Sequence, residues 1–165
     1  MGFSSSMYGN DDTSLPLMIM TDIFGGGPYS RLFANVREKM SLCYYCSASS
    51  VRAKGLVTVE SGVEFANSEK AQKEILNQLD VIKRGEFTDF EYESSLKSIK
   101  DSLMGYDDSQ SSLDLWYALK IANKEIYSPQ RIAEKITQIT REDVVNAARG
   151  IRLHTVYKIV AKEAE

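Results

Sequence analysis

Histidine is almost absent from this sequence, because His154 is the one histidine among 165 residues. A catalytic zinc site takes about three protein ligands from histidine, cysteine or carboxylate side chains and keeps a fourth position open. Neither His-x-x-Glu-His nor His-x-x-His occurs in the chain. The sequence therefore excludes a histidine-based zinc centre on this chain. A Ser-His-acid hydrolase would have to use His154, and no nucleophile-elbow sequence accompanies it.

Cysteine is scarce as well, because the chain contains two cysteines, Cys43 and Cys46. Two cysteines make no disulfide framework, and a cytoplasmic setting is the expectation for such a chain. The C-x-x-C spacing is also found in redox and metal sites, but the usual redox motif opens a helix, whereas this one enters a predicted strand. Residues three apart on a strand point to opposite faces. We expect two packed or half-buried thiols and keep a redox or metal role as the alternative.

Long apolar runs and strong charge are missing too. The longest apolar candidate, Leu15–Phe24, is interrupted by Pro16, Thr21 and Asp22, and a membrane span needs about 20 apolar residues. We see no signal-peptide pattern at the N-terminus. The net charge of −3 and the pI near 5.3 give no electrostatic basis for nucleic-acid binding. With 43% hydrophobic and 26% charged residues and only three prolines, the sequence predicts one globular domain over residues 1–165.

Hydrophobic spacing predicts strands at both ends of the chain, with a hairpin and several helices between them. The predicted strands are residues 1–7, 43–52, 55–63 and 151–162. The predicted helices are 15–24, a stripe through Leu32, Phe33, Val36 and Met40, then 67–85, 88–105, 111–124, a helix from Ser128-Pro129, and 140–150. Thr88 and Glu91 have the spacing of a capping box. Because the strands are grouped in hairpins and the helices in runs, the fold class is α+β, with helices packed on one face of an antiparallel sheet.

Two motifs that suggest chemistry have plainer interpretations. On the predicted last strand, His154 shares a face with Arg152, Lys158 and Lys162, which indicates a solvent-facing histidine. The run Gly25-Gly26-Gly27-Pro28 precedes a helix, as a phosphate cradle does, but no Lys-Ser/Thr follows it. A tight turn between two helices is the better interpretation of this glycine run.

Arg37 and Tyr44 are the remaining candidates for a binding site. Arg37 lies beside the apolar stripe of its helix, and Tyr44 follows seven residues later at the start of the hairpin. This arrangement could bring a guanidinium and a phenol to one edge of the sheet, where both could donate to backbone carbonyls of an extended peptide. A surface arginine and a half-packed tyrosine remain the alternative at this point.

The residues around this pair carry a resemblance to a known family. The runs Phe24-Gly25-Gly26-Gly27-Pro28-Tyr29-Ser30-Arg31-Leu32-Phe33 and Val36-Arg37-Glu38-Lys39-Met40-Ser41-Leu42-Cys43-Tyr44 resemble the pitrilysin/insulinase family of zinc peptidases. The similarity is greatest to bacterial members related to mitochondrial processing peptidase, and it covers nearly the whole chain.

The resemblance implies a two-domain clamshell in which one half carries His-x-x-Glu-His and zinc, while the other is zinc-free and holds the substrate. This chain resembles the zinc-free half, and Arg37 and Tyr44 match the positions that hold the substrate backbone. Zinc is then expected on the homologous partner half, and this chain is not expected to cleave peptides by itself. Ser41 departs from the family pattern, which commonly has glycine there. The usual domain also begins with another strand, so we expect a C-terminal fragment of a longer protein.

Two functions follow from this resemblance. The first is the substrate-binding half of a zinc metallopeptidase that hydrolyses extended peptides. The second is a non-catalytic peptide-binding or scaffolding subunit that partners an active zinc peptidase chain. An isolated half would also expose apolar surface, which predicts some self-association.

Overall fold

A computed structural model describes residues 1–9, 12–121 and 126–160 of the chain. Within these residues, antiparallel strands form one sheet in the order β2-β3-β1-β4. The strands are β1 (Gly2–Ser5), β2 (Tyr45–Val51), β3 (Leu56–Gly62) and β4 (Ile151–Thr155). As predicted, β2 and β3 form a hairpin, and the last strand returns to the sheet after all the helices.

The helices fall between these strands. They are α1 (Leu15–Gly25), a π-helix (Leu32–Lys39), α2 (Ser68–Lys83), α3 (Asp89–Met104), α4 (Gln110–Ala118), α5 (Pro129–Ile136) and α6 (Arg141–Arg149). Short 3₁₀ turns occupy Asp12–Ser14, Arg52–Lys54, Phe65–Asn67 and Gly105–Asp108. None of the helices in the described part of the chain is both long enough and apolar enough to span a membrane.

The core lies between the sheet and the helices on one of its faces. Strand residues that point to this face, such as Phe3, Val57 and Val59, are almost wholly buried. α1 is the central helix, because nearly all of its residues are buried and it packs against the sheet, α3 and α6. Its apolar character on all sides is typical of a helix enclosed by other elements. The predicted α+β architecture, with helices packed on one face of an antiparallel sheet, is confirmed.

The glycine run ends α1 where it comes closest to the sheet. A Cβ atom at Gly25 would lie 2.4 Å from the backbone nitrogen of Ala48 in β2. At Gly26 it would meet the Asp22 side chain, whose Oδ2 accepts a hydrogen bond from the Tyr29 hydroxyl at 2.6 Å. The glycines therefore allow close backbone approach at a turn between two helices, as the sequence predicts.

A buried ion pair joins the start of the π-helix to the helical layer. Arg31 donates through Nη1 to both carboxylate oxygens of Glu91, at 3.1 and 3.2 Å, and through Nε to Gln78 at 2.8 Å. Glu91 also completes the predicted capping box of α3, because it accepts from the backbone of Thr88. The same carboxylate therefore fixes the beginning of α3 and anchors the segment that leads to Arg37.

Several element boundaries differ from the predictions, most at the two ends of the chain and in α4. The last strand ends at Thr155, and Lys162, where it was predicted to end, lies outside the described residues. A register shift pairs Phe3 with Leu153 but Gly2 with Thr155, so the strict alternation predicted through His154 is broken by a bulge. α4 ends at Ala118, and its predicted end at Lys124 is also outside the described residues. β1 covers four of the seven residues predicted as its strand.

Candidate functional site

Arg37 lies near the C-terminal end of the π-helix. The wide turn is visible in the backbone, where Met40 N–H donates to the carbonyl of Asn35, five residues earlier, at 3.1 Å. Leu32 and Val36 are fully buried and attach this helix to the core. The Arg37 side chain is 42% exposed, and its Nε lies 3.6 Å from Glu38 Oε1. Its guanidinium carbon lies 4.6 Å from the centre of the Phe33 ring, which restricts the side chain through a cation–π contact.

A short loop connects this helix to β2 and fixes the position of Tyr44. Leu42 is buried, and its N–H donates to the Val36 carbonyl at 3.0 Å. Tyr44 N–H donates to the Gly62 carbonyl at 2.9 Å, so β3 holds the backbone while the side chain remains 81% exposed. Ser41 has φ of 49°, a left-handed conformation that favours glycine. This is the position where the resemblance already leads us to expect glycine.

Arg37 and Tyr44, the two candidate binding residues, lie near each other in the structure. Both line one open pocket of about 420 Å³. Neither the Tyr44 hydroxyl nor the Arg37 guanidinium makes a hydrogen bond to another side chain or backbone group in the described ranges. Two exposed donor groups of this kind, attached to rigid backbone, can bind carbonyl oxygens of a ligand.

The pocket also includes residues that the sequence pattern did not reveal. Glu64 and Asn67 come from the segment after β3 and line the pocket together with Glu38, which follows Arg37 on the π-helix. Glu64 and Asn67 approach the pocket only because the hairpin folds back, so the local sequence pattern could not predict their position. Because two carboxylates stand beside one guanidinium, the pocket suits a neutral carbonyl better than a free carboxylate.

The strand β2 begins beside the pocket and has an open edge. It is an edge strand, with β3 on one side and no strand among the described residues on the other. An edge strand presents unpaired N–H and C=O groups that can accept another strand. Tyr44 immediately precedes this strand, so a peptide that added to β2 would pass the Arg37–Tyr44 pocket.

The two cysteines lie at β2, and His154 lies on β4. Cys46 is buried in β2, and burial first, with the nearby Cys43 second, raises the pKa of its thiol to about 12. Cys43 precedes the strand, so the strand rule that put the two thiols on opposite faces does not apply to it. His154 is exposed, as expected, and its Nδ1 lies 2.8 Å from Thr155 Oγ1. Among the described residues, no group of three or more His, Cys, Asp or Glu side chains could hold a metal.

Comparison of the sequence with known proteins identifies relatives. Residues 1–99 match the family model described as "Peptidase M16 inactive domain". The "Probable inactive metalloprotease YmfF" of Bacillus subtilis is 32% identical over 164 residues, which cover 99% of this chain and 38% of that protein. The "Uncharacterized zinc protease YmxG" of the same organism is 31% identical over 106 residues, covering 63% of this chain and 26% of that protein. The chain thus spans well under half the length of these relatives.

Solved structures show the same fold. A conserved protein from Enterococcus faecalis V583 superposes with a TM-score of 0.83 at 26% identity, over 91% of this chain and 36% of that one. A peptidase M16 inactive domain from Pseudomonas fluorescens superposes with a TM-score of 0.70 at 19% identity, over 91% of this chain and 38% of that one. The resemblance found in the sequence is confirmed, and this chain belongs to the peptidase M16 inactive domain family, whose relatives include proteins named as zinc proteases.

Proposed function

We propose that this domain is the substrate-binding half of a larger zinc peptidase and binds extended peptides along β2. The observation that carries the proposal is the shared pocket of Arg37 and Tyr44 at the start of an edge strand. Backbone pairing with β2 gives affinity without strong sequence preference. The two side chains then fix the register of the bound peptide by donating to its carbonyl oxygens.

The same two donors fit a role in peptide hydrolysis when a zinc-bearing half faces them. Attack on a peptide bond places negative charge on the carbonyl oxygen, and one preorganised donor aimed at it is worth about 3 kcal/mol. The Tyr44 hydroxyl is exposed and suits the developing oxyanion, while Arg37 suits a neighbouring carbonyl. The described residues of this chain do not fit a zinc site, so the proposal assigns the metal to the partner half.

A second function is favoured by one relative that matches 99% of this chain. That protein is named "Probable inactive metalloprotease YmfF". If the parent of this domain resembles it in this respect, the Arg37–Tyr44 pocket binds peptides without cutting them. The domain then serves as a non-catalytic peptide-binding or scaffolding subunit of an active partner. Both functions need the same pocket and differ only in the other half.

Peptide binding is the direct test of the shared part of the proposal. An unstructured, fluorescently labelled peptide is titrated with the domain, and the anisotropy change gives Kd. Loss of a charge-assisted hydrogen bond costs about 1.5–3 kcal/mol, so Arg37→Ala should weaken binding roughly 10- to 100-fold. Tyr44→Phe should weaken it roughly 5-fold or more.

Two substitutions outside the pocket serve as matched controls. Arg84→Ala removes an exposed arginine that pairs with Glu86, and Tyr8→Phe removes the hydroxyl of a tyrosine that is 69% exposed. Both should leave Kd unchanged. Equal Kd values for all four variants and the wild type would exclude the pocket as the binding site.

A longer polypeptide that contains both halves separates the two functions. Its zinc content and its cleavage of a quenched fluorescent peptide are measured with and without Arg37→Ala and Tyr44→Phe. Bound zinc with cleavage that falls roughly 100-fold in either variant supports the peptidase. Peptide binding with neither zinc nor cleavage supports the non-catalytic subunit.

A further inference from the structure

The segment that enters β2 carries both cysteines of the chain, Cys43 and Cys46, with two tyrosines between them. The side chains of Tyr44 and Tyr45 are 81% and 53% exposed. Neighbouring side chains of a regular strand point to opposite faces, but the chain bends at Tyr44. The two tyrosines therefore both face outward, and the cysteines on either side of them both turn toward the core.

The two thiols lie within reach of each other. Cys46 is 6% exposed and belongs to the hydrophobic core, and the half-buried Cys43 packs against that core. A hydrogen bond between the two thiols is one of the causes that raise the pKa of Cys46. Both cysteines are free thiols. A pair of thiols in contact can close into a disulfide when an oxidant reaches one of them.

We propose that Cys43 and Cys46 form a reversible disulfide that moves Tyr44 and thereby weakens peptide binding at the Arg37–Tyr44 pocket. The effect on binding rests on the function proposed above for that pocket. Cys43 lines the pocket beside Tyr44, so a small oxidant that enters the pocket reaches this thiol. The C-x-x-C pair is then a redox switch built into the peptide-binding site.

The oxidant is a low-molecular-weight disulfide such as glutathione disulfide. Cys43 reacts first, because burial raises the pKa of the Cys46 thiol to about 12 and leaves it little thiolate. The Cys43 thiolate attacks one sulfur of the oxidant, forms a mixed disulfide and releases one glutathione thiolate. Cys46 then loses its proton, and its thiolate attacks the Cys43 sulfur and releases the second glutathione thiolate. The released thiolates take up the two protons, so two cysteines lose two electrons and glutathione disulfide becomes two molecules of glutathione.

The disulfide must move the loop that carries Tyr44. It brings the two sulfur atoms to about 2 Å from each other. Cys46 is held by its pairing with β3 and by the core around its side chain. The Cys43 end of the segment therefore moves, and the Tyr44 backbone moves with it. This motion strains the hydrogen bond from Tyr44 N–H to the Gly62 carbonyl and shifts the phenol away from Arg37.

Glutathione redox buffers test the chemistry. The domain is equilibrated at several ratios of oxidised to reduced glutathione, quenched with acid and alkylated, and mass spectrometry counts the free thiols. We expect both thiols to be lost in the oxidising buffers, with a disulfide mapped between Cys43 and Cys46, and to be recovered with dithiothreitol. Two free thiols in the most oxidising buffer, or a mixed disulfide on Cys43 that never closes, would overturn the proposal.

Hydrogen exchange and peptide binding test the consequence for the pocket. Oxidation should make amide exchange at Tyr44 roughly tenfold faster, while exchange at Val144 in α6 stays the same. The Kd for the labelled peptide should rise roughly 5-fold or more, as expected for Tyr44→Phe. In Cys43→Ser, Kd should be the same in reducing and oxidising buffer. Equal Tyr44 exchange in the reduced and disulfide forms would refute the switch.

The two proposals fail in different ways. If the reduced domain binds no peptide, the proposed function of the pocket is wrong, and the mapped disulfide and the Tyr44 exchange rate still decide whether oxidation moves Tyr44. If the reduced domain binds peptide and the disulfide form binds it equally well, the proposed function stands and the switch is wrong.

Discussion

Replacing Glu91 with glutamine should destabilise the domain far more than an equivalent change at the surface. The substitution keeps an oxygen that can accept from Thr88, so the cap of α3 is preserved in part. It removes the charge that balances Arg31, whose side chain is only 13% exposed beside a Glu91 side chain that is 11% exposed. Gln78 then remains as a neutral partner for the guanidinium.

The size of the effect follows from the burial of the pair. Breaking a buried ion pair by removing one partner costs about 3–5 kcal/mol. Because both side chains keep a little solvent contact, we expect the lower end, about 3 kcal/mol. In a domain of this size, 1 kcal/mol shifts the melting temperature by about 2–4 °C, so Glu91→Gln should lower it by roughly 6–12 °C.

A double-mutant cycle identifies the cause. If an uncompensated guanidinium is responsible, Glu91→Gln should cost much less in an Arg31→Met background than in the wild type. Urea unfolding followed by circular dichroism measures all four proteins. Glu86→Gln breaks the exposed Arg84–Glu86 pair, whose distances are equally short, and should leave the melting temperature unchanged. A strictly additive cycle, or a Glu91→Gln effect no larger than that of Glu86→Gln, would refute this reasoning.

Three further predictions concern the segment around the glycine run and the loop before β2. Gly25→Ala should destabilise the domain by about 3 kcal/mol in urea unfolding, because its Cβ would lie 2.4 Å from a backbone nitrogen of β2. Gly105→Ala, whose Cβ meets nothing within 4 Å, is its control. Ser41→Gly should be neutral to stabilising by up to about 1 kcal/mol, because it relieves a φ of 49°, and a loss of stability would contradict that assignment. Burial raises the pKa of the Asp22 carboxyl above its ordinary value of 3.8. The folded protein therefore binds this proton more tightly than the unfolded chain does. Wild-type stability should fall as the pH rises from the unfolded pKa to the folded pKa of this group. Asp22→Asn keeps an oxygen that can accept from Tyr29 but cannot titrate, so it should remove this pH dependence of the unfolding free energy, measured by urea unfolding from about pH 3.5 to 7. An unchanged pH dependence in the variant would assign the effect to another group.

The elements that could be predicted are those whose signals are local. The Thr88–Glu91 capping box and the glycine run are set by a few adjacent residues, and the structure places both as expected. The turn of the hairpin is local too, because Gly55 adopts φ of 58°. Fold class followed from the grouping of these elements along the chain.

The features that could not be predicted depend on neighbours distant in sequence. The bulge in β4 depends on its pairing with β1 at the other end of the chain, and the π-helix depends on hydrogen bonds whose spacing apolar periodicity does not specify. Glu64 and Asn67 reach the pocket only because β3 returns beside β2. For Arg37 and Tyr44, spacing alone favoured a surface arginine and a half-packed tyrosine, and only the family resemblance pointed to the pair as binding residues.

Arg37 and Tyr44 are attached to different layers of the domain, so the geometry of the pocket is sensitive to packing elsewhere in the core. Arg37 is carried by a helix locked to the helical layer through Arg31, whereas Tyr44 is held by the sheet through its bond to Gly62. The distance between the two donors therefore depends on how the helical layer packs against the sheet. A core substitution that shifts the layers by about 1 Å would misalign the donors, even far from the pocket. Selection on the proposed peptide binding would then act on the packing of the whole interior.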